Sequence, residues 1–355
     1  MTKFKIKKSR STPLNKIKQL IKNPKFGVLF TDHMAHAHYE NGKWTNFEIV
    51  QFQNLSLSPA AAVFHYGQEI FEGAKAYKRK DGSVYTFRID QNAKRFQASA
   101  RRLALPELPE KEFVDSVFEL VKLDHAWVPT GENQALYIRP FMIATEPYLG
   151  VRSSNIVDYY VILAPVGSYI SGVANVWVEE DFFRAGPGGT GSAKCGGNYA
   201  ASLLPKNTAH ARGCDDTLYL DARNVKYIEE FSGMSFFAVT KNRTLLTPKI
   251  SERILDSITR KSVIQLAKAL KFKVEEKDLV FKDILKAIKN HEITEIFMCG
   301  TAAVITSVAS LKGKRFKVQV GSGKMGPVAE QLKKELVGIQ RGEKPDRFHW
   351  MNRIK

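Results

Sequence analysis

The sequence predicts an α+β protein of two domains, and three observations carry that reading. The 355 residues suffice for two domains of ordinary size. Segments with strand alternation and segments with helical period are mixed throughout, without the strict βαβ order of a parallel-sheet fold. The stretch Val166-Gly-Ser-Tyr-Ile-Ser-Gly172 is rich in small residues, follows an apolar run and reads as a connection. The expected division is an N-terminal α+β domain at 1–167 with a basic arm at 1–25, a link at 168–172, and a C-terminal domain at 173–355.

In the first domain, 75–79 and 84–88 flank Lys80-Asp-Gly82, and Asp-Gly is a strong hairpin signal. Asp90 is placed to cap a helix from about 92 to 103 that carries Lys94, Arg95, Arg101 and Arg102. Gln134-Ala-Leu-Tyr-Ile-Arg-Pro-Phe141 alternates as a strand, so Tyr137 and Arg139 share one face and Leu136 and Ile138 the other. Pro140 lacks a donor, which confines this strand to an edge or an irregular end. Tyr159-Tyr-Val-Ile-Leu-Ala164 has the length of one buried strand. In the second domain, 235–240 and 295–299 read as core strands. Between them Val263, Leu266, Ala267 and Leu270 mark an amphipathic helix beginning near Ser257 or Ile258.

With 44% hydrophobic and 25% charged residues, the composition is that of a globular protein rather than a disordered chain. No apolar run approaches the roughly 20 residues of a membrane span. No apolar block follows the early lysines, so no secretory leader is expected. Cys195, Cys214 and Cys299 are too few and too scattered for a disulfide framework or a zinc site. A reducing cytoplasm and no metal are therefore expected. Nine Lys or Arg and no acid fall in residues 1–25, which accounts for half of the formal charge of +18. Such a balance raises a nucleic-acid partner as a reading. The absence of a recognition motif favours a solvated arm that helps draw in anionic ligands.

The most informative stretch is Arg184-Ala-Gly-Pro-Gly-Gly-Thr-Gly-Ser-Ala-Lys194-Cys-Gly-Gly-Asn-Tyr199. Glycines let a flat ligand approach the main chain, and a lysine amine in such a pocket suits Schiff-base chemistry with an aldehyde. On composition alone the same stretch is equally a flexible hinge bearing a solvated lysine.

The rest of the chain breaks that tie. From Phe30-Thr-Asp-His-Met34 to Ile339-Gln-Arg-Gly and His349-Trp-Met, it resembles the branched-chain amino-acid aminotransferases, members of the fold-type-IV pyridoxal-phosphate enzymes. The landmarks are Phe64-His-Tyr-Gly-Gln-Glu-Ile-Phe-Glu-Gly73, Leu136-Tyr-Ile-Arg-Pro140, Thr145-Glu-Pro-Tyr-Leu-Gly150, the glycine-rich lysine block, Ile228-Glu-Glu-Phe-Ser-Gly-Met234 and Gly300-Thr-Ala302. The resemblance implies a small α/β N-terminal domain, a larger C-terminal domain with a barrel-like β core, and a homodimer. It implies that Lys194 holds pyridoxal 5'-phosphate as a Schiff base and then shuttles a proton, which asks for an amine that can be neutral. Glu230 matches the carboxylate that pairs with the pyridine nitrogen, although residue chemistry alone leaves Glu229 and Glu230 open. Tyr199 matches the phenol beside the ring oxygen.

For the phosphate, the resemblance implies Arg95, Thr301 and the amides of Ile258 and Thr259, which sit near a helix start where an anion is favoured. For substrate it implies aromatic walls from Phe30, Tyr66, Phe71, Tyr137 and Tyr169, some of them contributed across a dimer interface, with Arg139 available to a distal carboxylate. Backbone donors near Gly233 and Ala302 would take the α-carboxylate. The family often has threonine where Gly233 stands, which removes a side-chain contribution but not the amide. A Cys-x-x-Cys pair found in some relatives is replaced by Ala303-Val-Ile-Thr306, so that dithiol switch is excluded.

The implied activity is reversible, ping-pong transfer of the amino group of leucine, isoleucine or valine to 2-oxoglutarate. On the same fold the alternatives are a D-amino-acid aminotransferase and an aminodeoxychorismate lyase. Outside enzymes, the alternative is a basic nucleic-acid-binding protein, which leaves Lys194 unexplained.

Overall fold

Residues 4–7, 9–167 and 172–354 are described in the structure, a computed structural model. The chain forms two compact units, one of Met1–Tyr169, Ala193–Gly196 and Ile339–Lys355, the other of Ile170–Ser192 and Gly197–Gly338. The expected division gave all of 173–355 to one domain, and the short segment around Lys194 and the C-terminal tail instead cluster with the first unit. Most of the expected link, 168–171, lies outside the described residues.

The first unit runs β1 (Lys5–Ile6), α1 (Leu14–Leu20), β2 (His33–Glu40), β3 (Lys43–Gln51), α2 (Ala62–Tyr66), β4 (Glu69–Phe71), β5 (Ala74–Lys78), β6 (Val84–Phe87), α3 (Ile89–Arg102), α4 (Glu110–Leu123), β7 (Ala135–Ala144) and β8 (Val157–Val166). Its sheet has the order β1-β3-β2-β8-β7-β5-β6, with β4 also paired to β7. The last strand of the chain, β18 (Met351–Arg353), joins the free edge of β6 in antiparallel register. Those ladder bonds are what return the C-terminal tail to this unit. Alternation sorts the sheet's two faces. Leu136, Ile138, Tyr159 and Val161 enter the core with Phe96 of α3 and Phe113 of α4. Tyr137, Arg139 and Phe141 point to the opposite, half-buried face.

Two local expectations are corrected in this unit. β7 is a central strand, although it contains Pro140. The Pro140 carbonyl accepts the Glu72 amide in the break between β4 and β5, so the side of the strand lacking a donor faces that break. Helix α3 begins earlier than 92, after Arg88 in a left-handed conformation (φ 51°) and without a side-chain cap. Asp90 lies in the first turn, where a carboxylate still favours the helix dipole.

The second unit contains β9 (Ala174–Glu179), α5 (Gly196–Ala211), β10 (Asp216–Leu220), β11 (Ile228–Phe231), β12 (Ser235–Thr240), β13 (Leu245–Thr247), α6 (Ile258–Ala269), β14 (Val274–Glu276), α7 (Phe281–Lys289), β15 (Ile293–Gly300), β16 (Val304–Gly313), β17 (Phe316–Gln319) and most of α8 (Pro327–Arg341). Strands β11-β10-β9-β16-β15-β12 follow one another, and the β11–β12 pairing closes them into a six-stranded barrel. Closure covers the free edge of β11 with the start of β12, while β13 and β14 continue the sheet from the far end of β12. Val176, Leu218, Phe231, Phe236, Ile296 and Met298 belong to its apolar core. As the sequence pattern indicated, α6 starts after Ser257, whose hydroxyl accepts the Arg260 amide, and buries Val263, Leu266 and Ala267.

Candidate active site

In the first unit, Lys194 is gripped by its main chain. Its amide donates to Ser99 Oγ on α3 (2.9 Å), and its carbonyl accepts the Phe71 amide from β4 (2.9 Å). Its neighbours Ala193 and Cys195 are buried in the core cluster, and the Gly196 amide donates to Glu69. The half-buried Lys194 side chain extends over the Phe71 ring, with Nζ 4.7 Å from the centroid. A hinge bearing a solvated lysine does not have this geometry.

Behind it lies Glu72, fully buried and met by Arg95 Nε and Nη2 (2.7 and 2.9 Å) and by Asn92 Nδ2 (2.7 Å). Burial alone would raise the Glu72 pKa. The opposing pull of Arg95, with Lys194 and Asn92, holds it below the usual carboxylate range. An ionised carboxylate therefore sits beside the lysine, and it orients Arg95 as well.

Tyr137 and Arg139 lie on one face of β7, as the alternation requires, and Arg139 Nη2 donates to the Tyr137 hydroxyl (3.1 Å). The Arg139 guanidinium also stacks over Phe71, 4.7 Å from its centroid. Phe71, Lys194, Tyr137 and Arg139 are thus brought together. Phe30 packs on Phe52 (5.1 Å, nearly parallel), and the Tyr66 hydroxyl donates to the Leu149 carbonyl. Neither contact reaches the Lys194 cluster. Tyr169 lies outside the described residues.

In the second unit, neighbouring acids on β11 have different partners, as strand alternation dictates. Glu230 Oε1 accepts the Leu255 amide (3.0 Å) and pairs with Arg184 (2.5 Å), both side chains 5% exposed. Glu229 pairs instead with Arg253 (2.5 Å), and burial pushes its pKa up to about 7 against the pull of that arginine. Arg184 Nη2 also donates to the carbonyls of Gly191 (2.8 Å) and Arg253 (2.7 Å), tying the glycine-rich loop to the segment that leads into α6. Gly191 is required there, because a Cβ would stand 2.5 Å from the Arg253 carbonyl oxygen. Thr190 and Asn198 exchange two hydrogen bonds of 2.8 Å, which fasten the loop to the first turn of α5, where Tyr199 resides.

Tyr199, Gly233 and the Gly300 turn converge. The Tyr199 ring comes 3.8 Å from a Cβ placed on Gly233, and a Cβ on Gly300 would lie 3.5 Å from the Gly233 carbonyl. Thr301 and Ala302 follow directly. Val304 then adopts φ 62°, a strained choice for a β-branched residue, of the kind that clusters at functional turns. Ile258 and Thr259 open α6, so their amides have no acceptor within the helix, and its first turn holds no acid.

Sequence reasoning quoted Glu72 and Arg184 inside its landmarks yet gave them no role. Ser99 was missed altogether, because a serine inside a basic helix carries no pattern of its own.

The first unit offers an amine beside an aromatic face, and the second, taken by itself, offers a carboxylate fixed by an arginine, a phenol, and a helix start open to an anion. Residues 69–311 match the amino-transferase class IV family. Over 343 residues the chain is 46% identical to the branched-chain-amino-acid aminotransferase of Mycolicibacterium smegmatis, covering 94% of this chain and 93% of that one. The crystal structure of the Escherichia coli branched-chain amino acid aminotransferase aligns with a TM-score of 0.76 at 27% identity, over 91% of this chain and 99% of that one. The fold is shared with the PLP-form branched-chain amino acid aminotransferase of Thermobaculum terrenum, at a TM-score of 0.74 and 22% identity over 94% and 99% of the two chains. The chain belongs to the class IV aminotransferases, and within them to the branched-chain-amino-acid aminotransferases.

Proposed function

We propose that the protein transfers the amino group of L-leucine, L-isoleucine or L-valine reversibly to 2-oxoglutarate, using pyridoxal 5'-phosphate. The observation that carries this reading is the main-chain grip on Lys194, which holds one primary amine over Phe71 beside ionised Glu72. The residues present fit the cofactor's chemistry. The first turn of α6 has amides to spare and no acid to repel a phosphate dianion. Glu230 is kept in place by Arg184 and the Leu255 amide, ready for a protonated ring nitrogen. When bound, the cofactor supplies an aldehyde that accepts the amino group and a ring that takes up the electron pair of the substrate Cα–H bond.

The chain's own residues do the rest. Lys194 Nζ would hold the cofactor and would move the proton at the substrate Cα. Tyr199 would sit beside the ring hydroxyl, while Arg95, Ile258, Thr259 and Thr301 would take the phosphate. The Gly233 and Ala302 amides take the α-carboxylate. Phe71, Tyr137 and Tyr169 would line the side-chain pocket, with Phe30 and Tyr66 supplied across the dimer interface; aromatic walls suit an apolar branched group, and Arg139 would answer the distal carboxylate of glutamate. We further propose the two-domain division at 168–172 and a homodimer in a reducing cytoplasm. Support for the dimer comes from exposed apolar Phe64, Leu149 and Val151, the last at 89% exposure. Support for the compartment comes from three buried, unpaired cysteines. Among the described residues no helix is long and apolar enough to cross a membrane.

The test is borohydride reduction followed by peptide mapping. The label is expected on Lys194, and Lys194→Ala is expected to lose the visible absorbance and at least about 10³-fold in kcat/KM for L-leucine, on the order of 4 kcal/mol. Label at another lysine, or faster turnover of D-alanine than of L-leucine, overturns the reading.

A further inference from the structure

A second cluster of side chains lies in the first unit, and the proposed transamination does not use it. His36 and His38 are two apart on β2, so strand alternation puts both on one face, opposite Ala35 and Ala37, which enter the core. His38 is directly opposite Asp158 of β8 in the antiparallel register. Asp158 Oδ1 lies 2.8 Å from His36 Nε2 and 2.8 Å from His38 Nδ1, and the three donor atoms fall within 4.8 Å of one another.

The surroundings are those of a ligand set held in place. Thr145 Oγ1 donates to the other carboxylate oxygen of Asp158 (2.7 Å), fixing its orientation. The far nitrogen of His38 lies 3.8 Å from the Glu40 carboxylate, longer than a hydrogen bond but on the side where metal-bound imidazoles usually have an outer acid partner. The His36 ring stacks on Tyr160 at 4.8 Å, which sets its plane. Glu48 stands opposite His36 on β3, so Asp158, Glu40 and Glu48 make an acidic corner, in which Lys7 pairs with Glu48, on a chain of formal charge +18. The Asp158 side chain is 12% exposed, while those of His36 and His38 are 22% and 24% exposed, leaving an approach for an ion and its water.

We propose that His36, His38 and Asp158 form a binding site for a divalent cation of the zinc class, with water completing the coordination. Two imidazoles and one carboxylate suit zinc, cobalt or nickel better than magnesium or calcium, which prefer all-oxygen shells. Zinc lies about 2.0–2.1 Å from imidazole nitrogen and about 2.0–2.2 Å from carboxylate oxygen. Two imidazole nitrogens that already share one carboxylate oxygen at 2.8 Å need only small shifts to meet it. The bound ion would clamp β2 to β8 and immobilise the stack that runs from His36 through Tyr160 to Phe141 (5.3 Å), the register partner of Phe71. The cysteine count gave no hint of such a site, because its pattern is His-x-His on a strand with the acid supplied by another strand.

The experiment uses holoenzyme stripped with chelator and titrated with zinc by equilibrium dialysis, alongside thermal melts. One ion per chain is expected, with a melting temperature raised by several degrees and tetrahedral visible bands when cobalt replaces zinc. The double variant His36→Gln, His38→Gln should bind zinc at least about 10-fold more weakly and lose the thermal shift, with transamination in the absence of metal unchanged. Asp158→Asn tests the third ligand in the same assay. Undiminished binding in the double variant, no stoichiometric binding by the wild type, or an equal shift with magnesium overturns the proposal.

Discussion

At the scale of single residues, the two acids of β11 pose the sharpest question. Sequence chemistry left Glu229 and Glu230 open, and the strand separates them. Glu230 accepts from Leu255, just ahead of the α6 start, and is braced by Arg184, whereas Glu229 is committed to Arg253. Glu230→Gln is therefore expected to lower kcat/KM for L-leucine by about 100-fold, close to 2.7 kcal/mol, and Glu229→Gln by less than 10-fold. Equal losses in steady-state assays would contradict the assignment.

Lys75 is the second residue with a measurable signature. It lies on β5 opposite Tyr137, 7% exposed, and burial lowers its pKa to about 8 from 10.5. Below pH 8 the amine is protonated in both folded and unfolded chains, and the fold bears the full cost of burying the charge. Between pH 8 and 10.5 the unfolded chain keeps a proton that the folded one has released, so this residue makes stability rise with pH across that window. Lys75→Met should therefore raise the denaturation midpoint at pH 7. The gain is a few kcal/mol at most, since a tenfold change in proton affinity is worth about 1.4 kcal/mol. The advantage over the wild type should shrink towards pH 10.5. A constant difference across that range would mean that packing, not charge, sets the effect.

At the scale of elements, Glu295 shows how one strand residue builds a helix. From β15 it accepts the Val328 amide (3.0 Å) and the Ala329 amide (2.9 Å), two first-turn donors of α8, while 5% exposed. A carboxylate at a helix N-terminus is doubly favoured, by the hydrogen bonds and by the dipole. Gly326 makes room for it, since a Cβ there would collide with the Glu295 carboxyl group. Glu295→Ala is expected to cost roughly 1–3 kcal/mol, read as a lower urea midpoint at unchanged slope.

Elements of this kind mark how far the sequence could be read. Strands β12 and β15, the α6 start and the Asp-Gly hairpin were legible, because alternation, helical period and turn chemistry are local signals. The helix that carries Arg95 was placed, but not its first turn, since Arg88 enters it through a left-handed backbone that no side-chain cap announces. The central position of β7 was missed because Pro140 forbids it by rule. Only the break between β4 and β5, a contact distant in sequence, removes the objection. Barrel closure was legible through the family resemblance alone, because the β11–β12 pairing completes a ring of long-range partners. Of the proposed site residues, Lys194, Tyr199 and Glu230 could be named from motifs. Their supports Ser99, Glu72 and Arg184 could not, because a supporting residue is defined by what it touches.

At the scale of the whole molecule, the charge of +18 bears on how substrates arrive. The amino-acid substrates are zwitterions of no net charge, whereas 2-oxoglutarate carries two negative charges. A strongly basic molecule raises the local concentration of a dianion and leaves a zwitterion almost unaffected. Salt shortens the reach of that field to about 8 Å at physiological ionic strength. Half of the net positive charge resides in the first 25 residues, where Lys16, Lys18, Lys22 and Lys25 are exposed, so replacing those four by Gln tests the origin of the field without touching Lys194 or the pairing of β1 with β3. The kcat/KM for 2-oxoglutarate is expected to fall several-fold between about 0.01 and 0.15 M salt, where the Debye length shrinks from roughly 30 to 8 Å. That for L-leucine should stay nearly flat, and the four-lysine variant should show a shallower slope for the dianion alone. Parallel salt slopes for the two substrates would show that the basic surface does not act on their capture, and would leave the arm's charge to be explained by a partner other than substrate.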